Sequence, residues 1–240
     1  GDALDYSLEH YGDYHPYTAV LYNNIGGAYS SQGDYTRALE NYEKSLVISK
    51  IVLGENHPEV AASYNNIGGV YSSQGNYTEA LKYYEKALEI SQNVLGEYNS
   101  DIATSYNNIG LVCYYQGDYA EALKYYEKAL AIYEKVLVAN HPDTAMSYNN
   151  IGLVFYSQGD YAEALKYYEK ALAIGEKVLG ENHPDTAMSY NNIGTAYLYR
   201  GDYSQALEYY EKALLIYKEV LGENNHSTAT SYNNIGMLYY

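Results

Sequence analysis

Two kinds of residue in this chain have side chains suited to chemistry, and both recur at fixed intervals. An Asn-Asn pair lies within each copy of SYNNIG, which begins at Ser63, Ser105, Ser147, Ser189 and Ser231, and within LYNNIG from Leu21 to Gly26. A histidine recurs at His15, His57, His141 and His183. A catalytic pocket needs different residues that converge, whereas this chain repeats the same residues every 42 positions. The pattern therefore favours a long binding surface over an active site.

The first asparagine of each pair is the main candidate for ligand binding. An amide both donates and accepts hydrogen bonds, so a row of amides suits a peptide backbone. These candidates are Asn65, Asn107, Asn149 and Asn191. The alternative is that the asparagines bond to neighbouring helices and hold the stack together. Both interpretations stay open. Bonding to neighbouring helices has more weight for the second asparagine of each pair than for the first; the second asparagines are Asn66, Asn108, Asn150 and Asn192.

The remaining reactive residue types predict no catalytic, cofactor or metal site. The histidines occur once per unit, and helix pairs stack about 10 Å apart, which is too far for one metal ion. Capping of a helix N-terminus is the role that we expect for them. The single cysteine, Cys113, has aromatic residues at its in-register positions, which indicates a core residue and not a nucleophile. The repeated charges Glu163, Lys166, Glu169 and Lys170 indicate a solvated outer face.

The composition of the chain argues against several classes of partner. A formal charge of −16 disfavours nucleic acid and anionic membranes, which attract basic surfaces. One cysteine in 240 residues fits a reducing compartment, and no apolar run is long enough to span a membrane, so we expect a cytoplasmic protein. The large side chains are almost all tyrosine, 36 in number, and we expect buried rings with hydrated or hydrogen-bonded hydroxyls.

The repeat divides the chain into units of two helices each. We expect one solenoid over residues 1–240, with a partial second helix at 1–14, five repeats and a half repeat, bounded as follows: 15–56, 57–98, 99–140, 141–182, 183–224 and 225–240. The first helix begins at a proline such as Pro184, which suits the first helical position. It ends before a glycine such as Gly159, and Asp160 with Glu163 then predicts a capping box. The second helix is predicted from Tyr161 to Leu179, with Val178 and Leu179 on its apolar stripe and Gly175 as a weak point.

The spacing of large and small residues resembles a known family. Ile151, Gly152 and Phe155, followed by Ala164, Tyr168 and Ala171, match the signature of the tetratricopeptide repeat. The 42-residue length and the linker EKVLGENHPD resemble the repeats of kinesin light chains. The resemblance implies an all-α, right-handed superhelical solenoid of antiparallel helix pairs. In this family the first helices line the concave groove and the second helices form the outer surface.

Carried over by register, the resemblance also implies which side chains line the groove. Besides the first asparagines, these are Leu111, Leu153, Thr195, Met146, Met188, Tyr114, Tyr156 and Tyr199. The leading hypothesis is a protein interaction scaffold that binds a peptide or partner surface in the groove, as cargo adaptors do. The first alternative is a sensor array of a signalling ATPase of the NACHT or NB-ARC type. The second alternative is a structural repeat that self-associates.

Two further expectations concern partners. The acidic chain predicts a preference for neutral or basic partner segments, although some cargo peptides of light chains are acidic. The two ends of the array leave apolar side chains that a neighbouring unit would cover. Because the units are nearly identical, these ends are predicted to associate head to tail through Ala3, Leu4, Tyr6, Tyr232, Ile235, Gly236 and Tyr239.

Overall fold

The computed structural model describes residues 2–137 and 140–239, which form α-helices joined by short turns, with no strand in these ranges. A short 3-10 turn, Met237–Tyr239, follows the last helix. The helices, numbered α1 to α12 in chain order, are Asp2–His10, Pro16–Ser31, Tyr35–Leu53, Pro58–Ser73, Tyr77–Leu95, Ser100–Tyr115, Tyr119–Val136, Pro142–Ser157, Tyr161–Val178, Pro184–Arg200, Tyr203–Leu221 and His226–Gly236.

Backbone contacts divide the chain into two compact units, Gly1–Tyr125 and Tyr126–Tyr240. In the N-terminal unit, α2 pairs with α3 and α4 with α5, and α4 and α6 each pack on the second helix before them. In the C-terminal unit, α8 pairs with α9 and α10 with α11, and α10 and α12 are joined to the preceding second helices in the same way. The predicted all-α architecture of repeated helix pairs is confirmed. None of the described helices is long and apolar enough to cross a membrane.

The starts of the first helices follow the predicted pattern. Pro16, Pro58, Pro142 and Pro184 occupy the first position of their helices. The histidine before each proline is the N-cap, and its Nδ1 accepts the backbone N–H two residues later, at 3.1 Å for His183 and Asp185. Asn99 and Asn225 cap α6 and α12 through Oδ1 in the same way. The predicted capping role of the histidines is therefore confirmed.

The turn between the paired helices corrects the predicted capping box. Asp160 Oδ1 accepts the backbone N–H of Glu163 at 3.1 Å, so the first half of the box is present. The Asp160 N–H, however, donates to the Phe155 carbonyl at 2.9 Å, and the Gly159 N–H donates to Tyr156. These two bonds form the Schellman motif that ends α8. Because this motif already uses the Asp160 N–H, the Glu163 carboxylate pairs with Lys166 instead.

The contact between paired helices depends on one close approach. A Cβ built on Gly152 of α8 would lie 2.7 Å from two ring carbons of Tyr168 on α9, and Gly26, Gly68 and Gly194 repeat this relation with Tyr42, Tyr84 and Tyr210. These tyrosine rings are buried. The hydroxyl of Tyr210 donates to Thr195 Oγ1 at 3.0 Å, as expected for buried rings with satisfied tips.

The last turn of the second helix differs from the prediction. Val178 and Leu179 were expected on the buried stripe of α9, but both are exposed. Their counterparts in the next repeat, Val220 and Leu221, are also exposed. The final turn of each helix therefore extends past its packed face, which ends at Leu172 in α9 and at Tyr217 in α11.

Candidate functional site

In the N-terminal unit, the asparagine pairs join consecutive first helices. Asn65 Nδ2 on α4 donates to Ser105 Oγ on α6 at 3.2 Å. Asn66 Nδ2 donates to Asn23 Oδ1 on α2 at 2.7 Å. Asn107 on α6 is buried. These are the bonds that the stack-holding interpretation requires.

The C-terminal unit repeats this network at its far end. Asn191 Nδ2 on α10 donates to Ser231 Oγ on α12 at 3.2 Å, and Asn234 Nδ2 donates to Asn191 Oδ1 at 3.4 Å. Asn149 on α8 differs, because its Oδ1 is buried and has no hydrogen-bond partner among the described residues. The first asparagines therefore have both structural bonds and, at Asn149, a spare acceptor. Their role in ligand binding stays a prediction.

A cavity lies between consecutive first helices in each unit, at the same register. In the C-terminal unit it has a volume of about 310 Å³ and lies between α8, α9 and α10, against Met146, Asn149, Gly175 and Met188. In the N-terminal unit a cavity of about 360 Å³ lies between α4, α5 and α6. Its corresponding residues, each 84 positions earlier, are Ala62, Asn65, Ser91 and Thr104. The Ser91 hydroxyl is buried and has no hydrogen-bond partner in the described part of the chain.

The other predicted groove residues differ in how accessible they are. Met146 and Met188 are 46% and 48% exposed and flank the cavity of the C-terminal unit. Leu111 and Leu153 are half-buried on α6 and α8. The Thr195 hydroxyl is used within the fold, because it donates to the Asn191 carbonyl at 2.8 Å and accepts from Tyr210. Among the candidates that are not tyrosines, the two methionines are thus the most accessible to a partner.

The three predicted tyrosines lie at the carboxyl ends of the first helices, within aromatic clusters. Tyr114 packs against Tyr115 and Tyr119 in the N-terminal unit. In the C-terminal unit, Tyr156 packs against Tyr161 and Tyr199, with ring centroids 5.6 Å apart in both pairs. Burial, reinforced by the neighbouring Tyr199, raises the pKa of Tyr156. The raised pKa keeps Tyr156 neutral, and Tyr199 beside it is 56% exposed.

One set of contacts was missed by the sequence analysis. Lys170, predicted to be a solvated charge, lies over two rings, with Nζ 5.2 Å from the centroid of Tyr148 and 5.1 Å from that of Tyr167. The Tyr148 hydroxyl donates to Glu134 Oε1 at 2.5 Å. Burial and this hydrogen bond raise the pKa of Tyr148 to about 12. The available signal was the spacing of Tyr167 and Lys170, which share a helix face.

The histidine, cysteine and acidic side chains, for which the sequence predicts no catalytic or metal site, have the following positions in the structure. Among residues 2–137 and 140–239, no group of histidine, cysteine and acidic side chains is arranged to hold a metal ion. Cys113 is buried, as predicted. Its burial raises the pKa of the thiol, which disfavours the nucleophilic thiolate.

The residues predicted for self-association are accessible in part. Ala3 and Tyr6 on α1 are exposed, and Leu4 is half-buried. Tyr232 on α12 is exposed, Ile235 and Gly236 are half-buried, and Tyr239 is 75% exposed. Head-to-tail association through these side chains stays a prediction.

Comparison with solved structures finds the same fold. BtubC (BKLC) from P. vanneervenii superimposes with a TM-score of 0.77 at 23% identity, over 94% of this chain and 89% of that one. A candidate kinesin light chain of Podosopora anserina with nearly identical TPR-like repeats gives 0.70 at 24%, over 85% and 97%. MamA protein gives 0.55 at 22%, over 86% and 96%. Among curated proteins, the chain has no match.

Comparison of the sequence with models of protein families shows which family the chain belongs to. The model described as tetratricopeptide repeat matches this chain in six overlapping segments, at residues 2–51, 17–93, 59–135, 101–174, 143–219 and 197–240. These segments cover nearly all of the chain and follow the repeated helix pairs. The chain belongs to the tetratricopeptide repeat family, whose members are generally non-catalytic scaffolds that bind protein or peptide partners.

Proposed function

We propose that this chain captures an extended peptide or partner surface on the face formed by its first helices, as a cargo adaptor of the kinesin-light-chain type. The observation that carries the proposal is the cavity that recurs at one register between consecutive first helices, once in each unit. Recessed cavities with a few polar groups are the usual form of binding sites. The proposed activity is binding without catalysis, in the cytoplasm.

The polar groups of these cavities favour a ligand that donates hydrogen bonds. Ser91 Oγ and Asn149 Oδ1 are buried and have no partner within the described residues. A buried polar atom without a hydrogen bond costs about 1–3 kcal/mol, which a ligand donor would recover. A peptide supplies such donors through its backbone N–H groups and polar side chains.

The charge around the cavities favours neutral or basic partner segments. Asp101 lies at the cavity of the N-terminal unit, and Asp143 and Asp185 lie at that of the C-terminal unit. No lysine or arginine lines either cavity in the described residues. Together with the formal charge of −16, these carboxylates oppose an acidic peptide, most strongly at low salt. The kinesin-light-chain part of the proposal is supported by the likeness to the Podosopora anserina protein.

The test is a selection of random dodecapeptides displayed on phage against the purified chain. The selected peptides are then measured against a variant with Met146→Asp and Met188→Asp, which adds charge beside the cavity. The control is Leu215→Asp, which changes an exposed apolar residue of the second helix α11. We expect the methionine variant to lose at least tenfold in affinity and the control to retain it.

The composition of the selected peptides gives a second measurement. Basic or neutral peptides are expected to predominate, and any acidic ones are expected to bind more weakly as salt is lowered. Peptides that bind the methionine variant as well as the Leu215→Asp control would show that the binding surface does not include the cavity beside the methionines. Acidic peptides that bind more tightly at low salt would contradict the charge argument alone.

A further inference from the structure

One position of the second helix is occupied by a tyrosine in the third and fifth repeats and by glycine in the fourth. Tyr133, Gly175 and Tyr217 are each 42 residues apart. Both tyrosines are buried. The Tyr217 hydroxyl hydrogen-bonds the side chain of Asn191, the first asparagine of its own repeat. The tyrosine therefore fills the space between helices and pairs its hydroxyl with the asparagine.

At Gly175 the same space is empty. The cavity of about 310 Å³ lies there, and its lining includes Asn149, the in-register counterpart of Asn191. Asn149 Oδ1 is the buried acceptor without a partner among the described residues. The cavity is thus open at the place where the next repeat buries its own tyrosine, and it retains the polar group that meets the hydroxyl.

The walls of the cavity suit an aromatic ring. Met146 and Met188 flank it, and Ile174 lies beside them. Methionine sulfur and methyl groups make favourable contacts with aromatic rings and adapt to their shape. The nearest atom to a Cβ built on Gly175 is Thr186 Oγ1, at 3.4 Å, an ordinary contact distance. The backbone therefore leaves room for an additional group against α9.

We propose that this cavity binds a p-hydroxyphenyl group, with the ring between the methionines and the hydroxyl donating to Asn149 Oδ1. An alkyl group would fill the walls but leave Asn149 Oδ1 unpaired. A carboxylate would meet that oxygen and the nearby carboxylates of Asp143 and Asp185. A neutral ring with one donor satisfies both the apolar walls and the acceptor.

The p-hydroxyphenyl group can come from a tyrosine side chain of a partner or from a free phenol. The tyrosine source rests on the proposed peptide capture, whereas binding of a free phenol does not. The N-terminal unit provides an internal contrast, because its corresponding cavity has Ala62, Thr104 and Ser91 in place of the methionines and glycine. That cavity lacks the methionine walls that we expect to hold the ring.

The experiment is a titration with p-cresol, followed by NMR of the methionine methyl groups. The chain has three methionines, so Met146 and Met188 report on the cavity and Met237, on the 3-10 turn, is the internal reference. We expect p-cresol to shift the signals of Met146 and Met188 and to leave that of Met237 unchanged. Toluene, which lacks the hydroxyl, is expected to bind about threefold to tenfold more weakly, the value of one hydrogen bond.

Two variants locate the site. Gly175→Tyr places in the cavity the residue that the neighbouring repeats carry, and it is expected to fold and to abolish the p-cresol shifts. Asn149→Ala is expected to remove the preference for p-cresol over toluene while toluene still binds. The proposal is overturned if p-cresol leaves Met146 and Met188 unshifted, if toluene binds as well as p-cresol to the natural chain, or if the shifts persist in Gly175→Tyr.

Two short neutral peptides that differ only in one tyrosine or phenylalanine then distinguish the sources. Displacement of p-cresol by the tyrosine peptide, but not by the phenylalanine peptide, identifies a tyrosine of a partner. Binding of p-cresol without displacement by either peptide supports the site with a free phenol as its ligand. This result would stand even if the dodecapeptide selection failed, so failure of peptide capture is distinguishable from failure of the cavity proposal.

Discussion

Replacement of Gly152 by alanine places a methyl group against a buried tyrosine ring. The new Cβ would lie 2.7 Å from Cδ1 and Cε1 of Tyr168 and 3.3 Å from the Ala164 carbonyl. Carbon atoms in contact are normally about 3.5–4.0 Å apart, so the overlap with the ring approaches 1 Å. Tyr168 is 3% exposed, so its ring is enclosed by other atoms of the core. The two helices must therefore separate or the ring must leave its rotamer.

The magnitude follows from two opposing effects. Overpacking of a core costs about 1–3 kcal/mol. Replacement of glycine by alanine inside a helix recovers up to about 1 kcal/mol. With the full gain of about 1 kcal/mol, we expect Gly152→Ala to lower the free energy of unfolding by up to about 2 kcal/mol.

Gly175→Ala is the matched control for this substitution. It also lies inside a helix, but its nearest contact is Thr186 Oγ1 at 3.4 Å. Only the gain in helix propensity applies, so we expect a stabilisation of about 0.5–1 kcal/mol. Urea unfolding of the two variants is monitored by circular dichroism. Their midpoints are compared directly, because repeat arrays need not unfold in one step.

The same substitution in a chain that lacks the Tyr168 ring shows whether the contact with this ring causes the destabilisation. In a Tyr168→Ala chain the obstructing ring is absent, so Gly152→Ala is expected to become neutral or stabilising. A Gly152→Ala variant as stable as Gly175→Ala in the natural background would refute the argument. Equal destabilisation with and without the Tyr168 ring would show that the methyl group meets a different obstacle.

Two other predictions concern the helix caps and the ends of the chain. His183→Ala is expected to destabilise the fold by about 1 kcal/mol in urea, whereas His183→Asn is expected to retain stability, because Asn99 caps α6 in the same way; equal losses in both variants would show that the cap bond is not the cause. Ile235→Asp with Tyr239→Asp is expected to reduce association in concentrated solutions measured by sedimentation, with Leu215→Asp as the control for exposed apolar residues. Unchanged sedimentation would refute the head-to-tail contact.

Much of the fold was predictable from the sequence because its local signals agree with one another. The 42-residue period, the prolines at helix starts and the glycines after helix ends all mark the same boundaries. The second helix from Tyr161 was placed to within one residue of its observed end at Val178. Such signals act over a few residues, so no knowledge of distant neighbours was required.

The features that the sequence did not predict correctly depend on atoms of other helices. The capping box at Asp160 was incomplete because the end of the preceding helix uses the same N–H. The partner of Asn65 is Ser105 and that of Asn66 is Asn23, each about one repeat away along the chain. A sequence pattern places such amides on a helix, but the rotation of the neighbouring helix decides which atoms meet. The interpretation of these asparagines therefore needed the packed structure.

The sequence contains one signal of the cavity at Gly175, because a glycine stands there in place of a tyrosine. By itself the glycine predicts only a weak point of the helix, although Tyr133 and Tyr217 stand at its in-register positions. A missing tyrosine predicts empty volume only when its neighbours keep their places. The structure supplies this information, since α9 continues through Gly175 and Asn149 retains a buried oxygen.

Near-identity of the repeats has a consequence for specificity. Asparagines and serines that recur in every unit contribute similar interactions with any extended ligand, so they add affinity without distinguishing one ligand segment from another. Discrimination must come from positions where the repeats differ. Ser91 with Thr104 in one cavity, and Gly175 with Met188 in the other, are such positions. At the cavity beside Gly175, a ring that carries a donor would pair with Asn149 Oδ1, whereas a group without a donor would leave that oxygen unpaired.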